Sequence, residues 1–117
     1  MSDCIFCKIA NHEIPSDVVY EDERVIAFRD LEPKAPTHVL VIPKEHYANI
    51  VDDVPAETLA AMVDAIREVV RGEGIEESGF RVITNAGDDA GQTVHHFHMH
   101  VLGGKNLGAG LLPADAE

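Results

Sequence analysis

Four of the chain's seven histidines, His95, His96, His98 and His100, fall within six positions, separated only by Phe97 and Met99. Imidazole is the side chain whose unperturbed pKa lies nearest neutrality, and it serves as nucleophile, proton carrier or metal ligand. Side chains alternate across an extended chain. His96, His98 and His100 therefore share one face with Val94 and Leu102, while Phe97, Met99 and Val101 share the other with His95. One face carries chemistry and the opposite face reads as core. A histidine-rich solvated strand is the bland alternative, but strict spacing of two with apolar residues interleaved argues for a site. Parity turns His95 away from the other three, which makes it an edge or partly buried residue.

The loop before these histidines offers what an anionic ligand would need. Gly87 and Gly91 let the backbone approach closely, and Asn85, Gln92 and Thr93 bring uncharged donors, while Asp88 and Asp89 must face away. Polar glycine loops are commonly plain turns; this one gains weight because the histidines follow directly. Cys4 and Cys7 are the only cysteines. Their Cys-x-x-Cys spacing lacks the preceding strand that a thioredoxin-like redox pair requires, so metal binding is the better reading. A structural zinc needs four ligands, and His12, His38, His46 and the histidine cluster are the candidates for the other two.

These groups have to be held by an α+β fold. Residues 4–10 read as a short helical turn or loop. Val18 to Tyr20 and Val25 to Phe28 read as a hairpin, and Thr37 to Pro43 as a third strand rich in branched residues. From Pro55, the residues Leu59, Met62, Val63, Ile66, Val69 and Val70 recur at helical spacing until Gly72 and Gly74 stop the run. Phe80 to Thr84 form a fourth strand and Val94 to Leu102 a fifth that bears the histidines. The expected architecture is an antiparallel sheet of about five strands with one long helix on the Phe97, Met99 and Val101 face, leaving the histidine face open to ligand.

The 117 residues form one domain, 1–117, with no repeat. A net charge of -12, from 21 acidic against 9 basic residues, argues against nonspecific binding to nucleic acid or to an anionic membrane. No apolar run is long enough to cross a bilayer, and no basic region followed by an apolar stretch marks a signal peptide, so a soluble cytoplasmic protein is expected. The dispersed acid excess also fits adaptation to high salt.

Taken together, the motifs resemble the histidine triad (HIT) nucleotide hydrolases and transferases. His96-Phe97-His98-Met99-His100-Val101-Leu102 is similar to that family's His-x-His-x-His signature, and Gly91-Gln92-Thr93-Val94 precedes it. The likeness extends through Cys4 to Ile9, Ile14-Pro15, Tyr20 to Asp22, Ala27 to Asp30, and Ala35 to His46. The resemblance is nearest to the Hint-type nucleoside phosphoramidases in their prokaryotic zinc-containing form. It implies that His98 attacks the α-phosphorus of a nucleotide, forming a nucleotidyl-histidine that water then hydrolyses. It implies that His100 and His96 assist, and that Asn85, Gly91, Gln92 and Thr93 hold phosphate oxygens, with Thr93 standing where many members have serine. Asp30 would take the ribose hydroxyls. Ile5, Phe6, Ile9, Ile14 and Leu31 would line the nucleoside, and His38 would support the site. Zinc would be held by Cys4, Cys7, His46 and His96. The expected partners are purine nucleotide conjugates and a second copy of the chain.

Four functions remain distinguishable. The first is the phosphoramidase chemistry above, and the second a dinucleoside polyphosphate hydrolase of the same family. The third is a zinc hydrolase with His96, His98 and His100 as ligands, weakened by the lack of an acidic base on that strand. The fourth is a nucleotide-binding regulator without turnover.

Overall fold

A computed structural model describes residues 4–111. Helix α1 (Ile5–Ala10) opens the chain, followed by strands β1 (Val18–Glu21), β2 (Val25–Arg29) and β3 (Thr37–Pro43). Helix α2 (Ala56–Gly72) comes next, then β4 (Phe80–Ile83), a 3-10 turn (Asp88–Ala90) and β5 (Met99–Gly103). The five strands make one antiparallel sheet in the order β1-β2-β3-β5-β4.

The sheet is covered on both faces, and the parity of each strand decides what goes where. Val25 and Ala27 of β2, Val39 and Val41 of β3, and Phe97 and Val101 pack with Met62, Ala65, Ile66, Val69 and Val70 of α2. Ile26 and Phe28 of β2 and Leu40 and Ile42 of β3 point the other way, against Phe6, Ile9 and Ala10 of α1. Double coverage explains why β3 reads Thr-His-Val-Leu-Val-Ile-Pro with no polar alternation, since all seven of its residues are buried. Within α2 the buried residues recur at helical spacing, and Pro55 stands just before its first turn, where its missing N–H is not needed. Arg29 at the end of β2 forms two hydrogen bonds to the carboxylate of Glu73, which follows α2, at 2.9 and 2.7 Å.

Two expectations need correction. The histidine-bearing strand was expected over residues 94–102, but its ladder begins only at Met99. Continuing the register that pairs Val41 with Met99 would set Pro43 opposite Phe97, and proline has no N–H to donate. The Phe97 N–H bonds instead to the Tyr47 carbonyl. Residues 94–98 keep the alternation of faces without a strand partner: Phe97 lies in the α2 core, while Phe6 of α1 packs against His96 and His98. The second correction concerns the histidine face, which is not open. Helix α1 leans on it, leaving His96 fully buried and His98 only 7% exposed.

Candidate functional site

Helix α1 is built around the residue that caps it. The Cys4 Sγ accepts the Cys7 N–H at 3.3 Å as an N-cap, which brings both sulfurs to one end of the helix. That end faces His96 and His46: Cys4 Sγ lies 3.4 Å and Cys7 Sγ 3.5 Å from His96 Nδ1, and Cys7 Sγ lies 3.3 Å from His46 Nδ1. A tetrahedral ion with bonds of about 2.0–2.3 Å to nitrogen and sulfur has ligand-to-ligand edges of roughly 3.3–3.8 Å. These contacts match that spacing, and the four groups could hold a metal ion. His96 is prepared for the role. Its Nε2–H donates to the Pro43 carbonyl at 2.8 Å, so the lone pair lies on Nδ1, toward the sulfurs. Among the protein's own groups, burial and then the neighbouring Cys4 push the Cys7 thiol up to about 11. A bound cation would reverse that shift by favouring the thiolate.

The remaining histidines form a second group with its own proton arrangement. His98 donates its Nδ1–H to the His96 carbonyl at 2.7 Å, which leaves the lone pair on Nε2. Burial lowers the His98 pKa, opposed by the His96 carbonyl and the charge of Asp30, so the ring is neutral near pH 7 and can act as a nucleophile. Phe6 stands edge-on to it, with ring centroids 5.1 Å apart. His100, opposite Leu40 in the sheet, has its ring centroid 5.1 Å from that of His98. Its Nδ1 lies 2.9 Å from Nε2 of His38 on β3, and His38 Nδ1 accepts the backbone N–H of Lys34 at 3.0 Å. A peptide N–H can only donate, so His38 carries its proton on Nε2 and gives it to His100 Nδ1; His100 then carries its own proton on Nε2. The two triad rings thus differ in kind. His98 offers a lone pair at Nε2, and His100 offers an N–H.

Asp30, His38 and His100 also lie close enough together to suggest a cation site. The tautomers argue against it. His38 Nε2, 3.4 Å from Asp30 Oδ2, holds a proton rather than a lone pair as long as Lys34 donates to the other nitrogen. The three triad histidines do not converge on one point either. His96 Nδ1 faces the cysteines and His98 Nδ1 faces a carbonyl, which removes the basis for a zinc hydrolase with all three as ligands.

The other residues singled out in the sequence are placed unevenly. Asn85 is half-buried and Thr93 exposed, both free to meet a ligand. Gln92 is not free: its side chain is buried, donates to the Ala48 and Val94 carbonyls and accepts from the Gly87 N–H. Its own N–H bonds Gly87 O and that of Gly91 bonds Asp88 O, so these two residues hold the loop in shape and are not placed as phosphate donors. Gly91 is required by its φ of 80°, a left-handed backbone that side-chain-bearing residues seldom adopt. Asp88 and Asp89 are exposed as expected; His95, expected at an edge or partly buried, is exposed as well, 4.0 Å from Asp88. Phe6 and Ile9 are sunk in the core beneath α1, Ile14 is half-buried, and Ile5 and Leu31 face solvent at 47% and 94% exposure. Asp30 fixes its loop with one carboxylate oxygen, accepting the Glu32 N–H at 2.8 Å, and turns the other toward His38. Sequence reasoning missed the backbone partners, Pro43 O, His96 O and Lys34 N–H, because main-chain atoms carry no residue-type signal.

This arrangement of a triad over a five-stranded sheet defines a histidine triad protein. Residues 11–107 match the HIT domain, and the chain belongs to that family. It is 48% identical over 107 residues to the purine nucleoside phosphoramidase of Escherichia coli strain K12, covering 89% of each chain. A HIT family hydrolase from Clostridium thermocellum superposes with a TM-score of 0.91 at 50% identity, covering 96% of this chain and 99% of the other. A histidine triad protein from Clostridium difficile gives a TM-score of 0.87 at 49% identity, over 93% of this chain and 96% of that one.

Proposed function

We propose that the protein is a Hint-type enzyme that hydrolyses purine nucleoside phosphoramidates or related nucleotide conjugates at the α-phosphate. The observation that carries this reading is the 2.7 Å bond from His98 Nδ1–H to the His96 carbonyl, which leaves Nε2 unprotonated with its lone pair available for attack. The His98 Nε2–P bond forms as the P–N bond to the leaving amine breaks, and the amine departs with a proton drawn from the Nε2–H side of His100. Water then attacks phosphorus and gives a proton back to His100 Nε2 as the His98–P bond breaks, so a nucleoside monophosphate leaves and both rings are restored. Asn85 and Thr93 are the groups free to hold phosphate oxygens. Asp30 is the carboxylate offered to ribose hydroxyls, and Ile5, Ile14 and Leu31 are the apolar residues still presenting surface to a base. The phosphoramidase relative at 48% identity supports the substrate class.

Cys4, Cys7, His46 and His96 are proposed as a structural zinc site. Zinc there would favour both thiolates and tie α1 to the strand; no step of the reaction runs through it. A homodimer in the cytoplasm completes the reading, with sedimentation at micromolar concentration as the check on assembly.

The test is to mix the protein with a nucleoside phosphoramidate, quench in base and weigh the intact chain. A nucleotidyl adduct that maps to His98 and disappears in His98→Ala is expected; full turnover by His98→Ala would sink the mechanism. Metal analysis tests the zinc site separately, since unchanged zinc in Cys4→Ser and His46→Ala would refute the ligand set.

A further inference from the structure

The connection between β2 and β3, residues 30–36, makes a contact that no side-chain motif announces. His38 is 5% exposed, and both of its ring nitrogens are engaged: Nδ1 with the Lys34 N–H at 3.0 Å, Nε2 with His100 Nδ1 at 2.9 Å. The loop is well fitted to hold that N–H still. Pro33 and Pro36 restrict their own φ angles, Asp30 Oδ1 takes the Glu32 N–H, the Asp30 N–H pairs with the His38 carbonyl, and Lys34 Nζ donates back to the Glu32 carbonyl.

We propose that the backbone N–H of Lys34 is a positioning group for catalysis. By donating to His38 Nδ1 it fixes the proton of His38 on Nε2, and through that bond it fixes the proton of His100 on Nε2, so that His100 always presents an N–H beside the nucleophile. Without it, His38 can place its proton on either nitrogen. In the Nδ1–H form its Nε2 lone pair accepts from His100, and His100 then offers the site a lone pair that cannot protonate a departing amine. Burial lowers the pKa of both rings, so near pH 7 each carries one proton and the choice between tautomers is real. The same N–H keeps His38 from acting as a cation ligand beside Asp30, which protects the site from capture by free metal.

The inference rests on the reading of His98 as nucleophile and His100 as donor, but its test does not. Nitrogen-15 spectra of the ligand-free protein, as isolated, report the tautomer of each histidine. His38 and His100 should both carry their proton on Nε2 in the native protein. In Lys34→Pro, which deletes the N–H together with the lysine side chain, the Nδ1–H form of His38 should appear, and turnover of a phosphoramidate with a poor leaving amine should fall at least about tenfold with KM within about twofold. Lys34→Ala, which keeps the N–H and loses the Nζ bond to the Glu32 carbonyl, should keep the native tautomers. His38→Asn keeps an acceptor for Lys34 but is too short to reach His100, so His100 should lose its fixed tautomer there even if Lys34→Pro fails to fold. A native His38 protonated on Nδ1, a folded Lys34→Pro with unchanged tautomers, or a His100 unmoved in His38→Asn would each overturn the proposal. A failed adduct at His98 with these tautomers intact would overturn the proposed function instead.

Discussion

Each histidine of the triad is defined by where its second nitrogen goes. His96 gives its proton to Pro43, His98 to its neighbour's carbonyl, and His100 receives one from His38. Spacing alone made the shared face of the three legible, but it set His95 on the core side as an edge or partly buried residue, whereas its ring is exposed. The division of labour was not legible from spacing, because the deciding atoms are carbonyls and an N–H brought close by register and loop shape. Burial, with charges on His98 and His38 adding to it, pushes the His100 pKa down from the ordinary 6.5 to about 4. A histidine whose folded pKa is depressed is protonated first in the unfolded chain. Its contribution to stability is complete above pH 6.5 and is lost as pH falls toward 4. Urea midpoints measured between pH 7 and pH 5 should therefore decline, and His100→Gln should decline less steeply; parallel profiles would remove His100 as a source of the slope.

At the scale of elements, the hairpin, the third strand and the long helix were written in period and in punctuation. The third strand and the helix end at Pro43 and Gly72, as the sequence suggested. The fifth strand was overextended because alternation alone cannot reveal that its partner strand runs out at a proline. Residues 4–10 read in sequence as a short helical turn or loop, since six residues are too few to show a period, and they fold as the helix α1. The turn after β5 shows the opposite limit. Gly104 has φ 91°, and a Cβ there would stand 2.9 Å from Pro36 Cβ, so both its backbone and its surroundings demand glycine. Gly104→Ala is expected to cost about 1–3 kcal/mol in a denaturant titration, and an unchanged midpoint would show that the turn relaxes freely. The closeness of Pro36 also sets this turn beside the connection that carries Lys34. At that same end of β2, the bond to Arg29 lowers the Glu73 pKa against the opposing effect of burial. Its stabilisation therefore holds at neutral pH and fades only as pH drops through that lowered value.

Over the whole molecule, charge was legible from composition, but the arrangement of two cores was not. A net charge of -12 on a 117-residue chain favours expansion through self-repulsion, and salt screens it within about 10 Å at 0.1 M. The melting temperature should rise between 10 mM and 0.5 M sodium chloride, and a flat response would mean that the acidic surface is spread too thinly to matter. Among the described residues no helix is long and apolar enough to cross a membrane. The two faces of the sheet are protected unequally: a 17-residue helix closes one, and a six-residue helix capped by a cysteine closes the other. A helix that short does not persist by itself. The molecule should therefore open by parts, with amide protons of α1 exchanging long before those of α2 and the centre of β3. Removing the zinc proposed for Cys4, Cys7, His46 and His96 by chelation should shorten the lifetime of the first set while leaving the second unchanged. The half of the protein that bears the proposed chemistry would then be the half that breathes, at a rate that a metal on its cysteines would set.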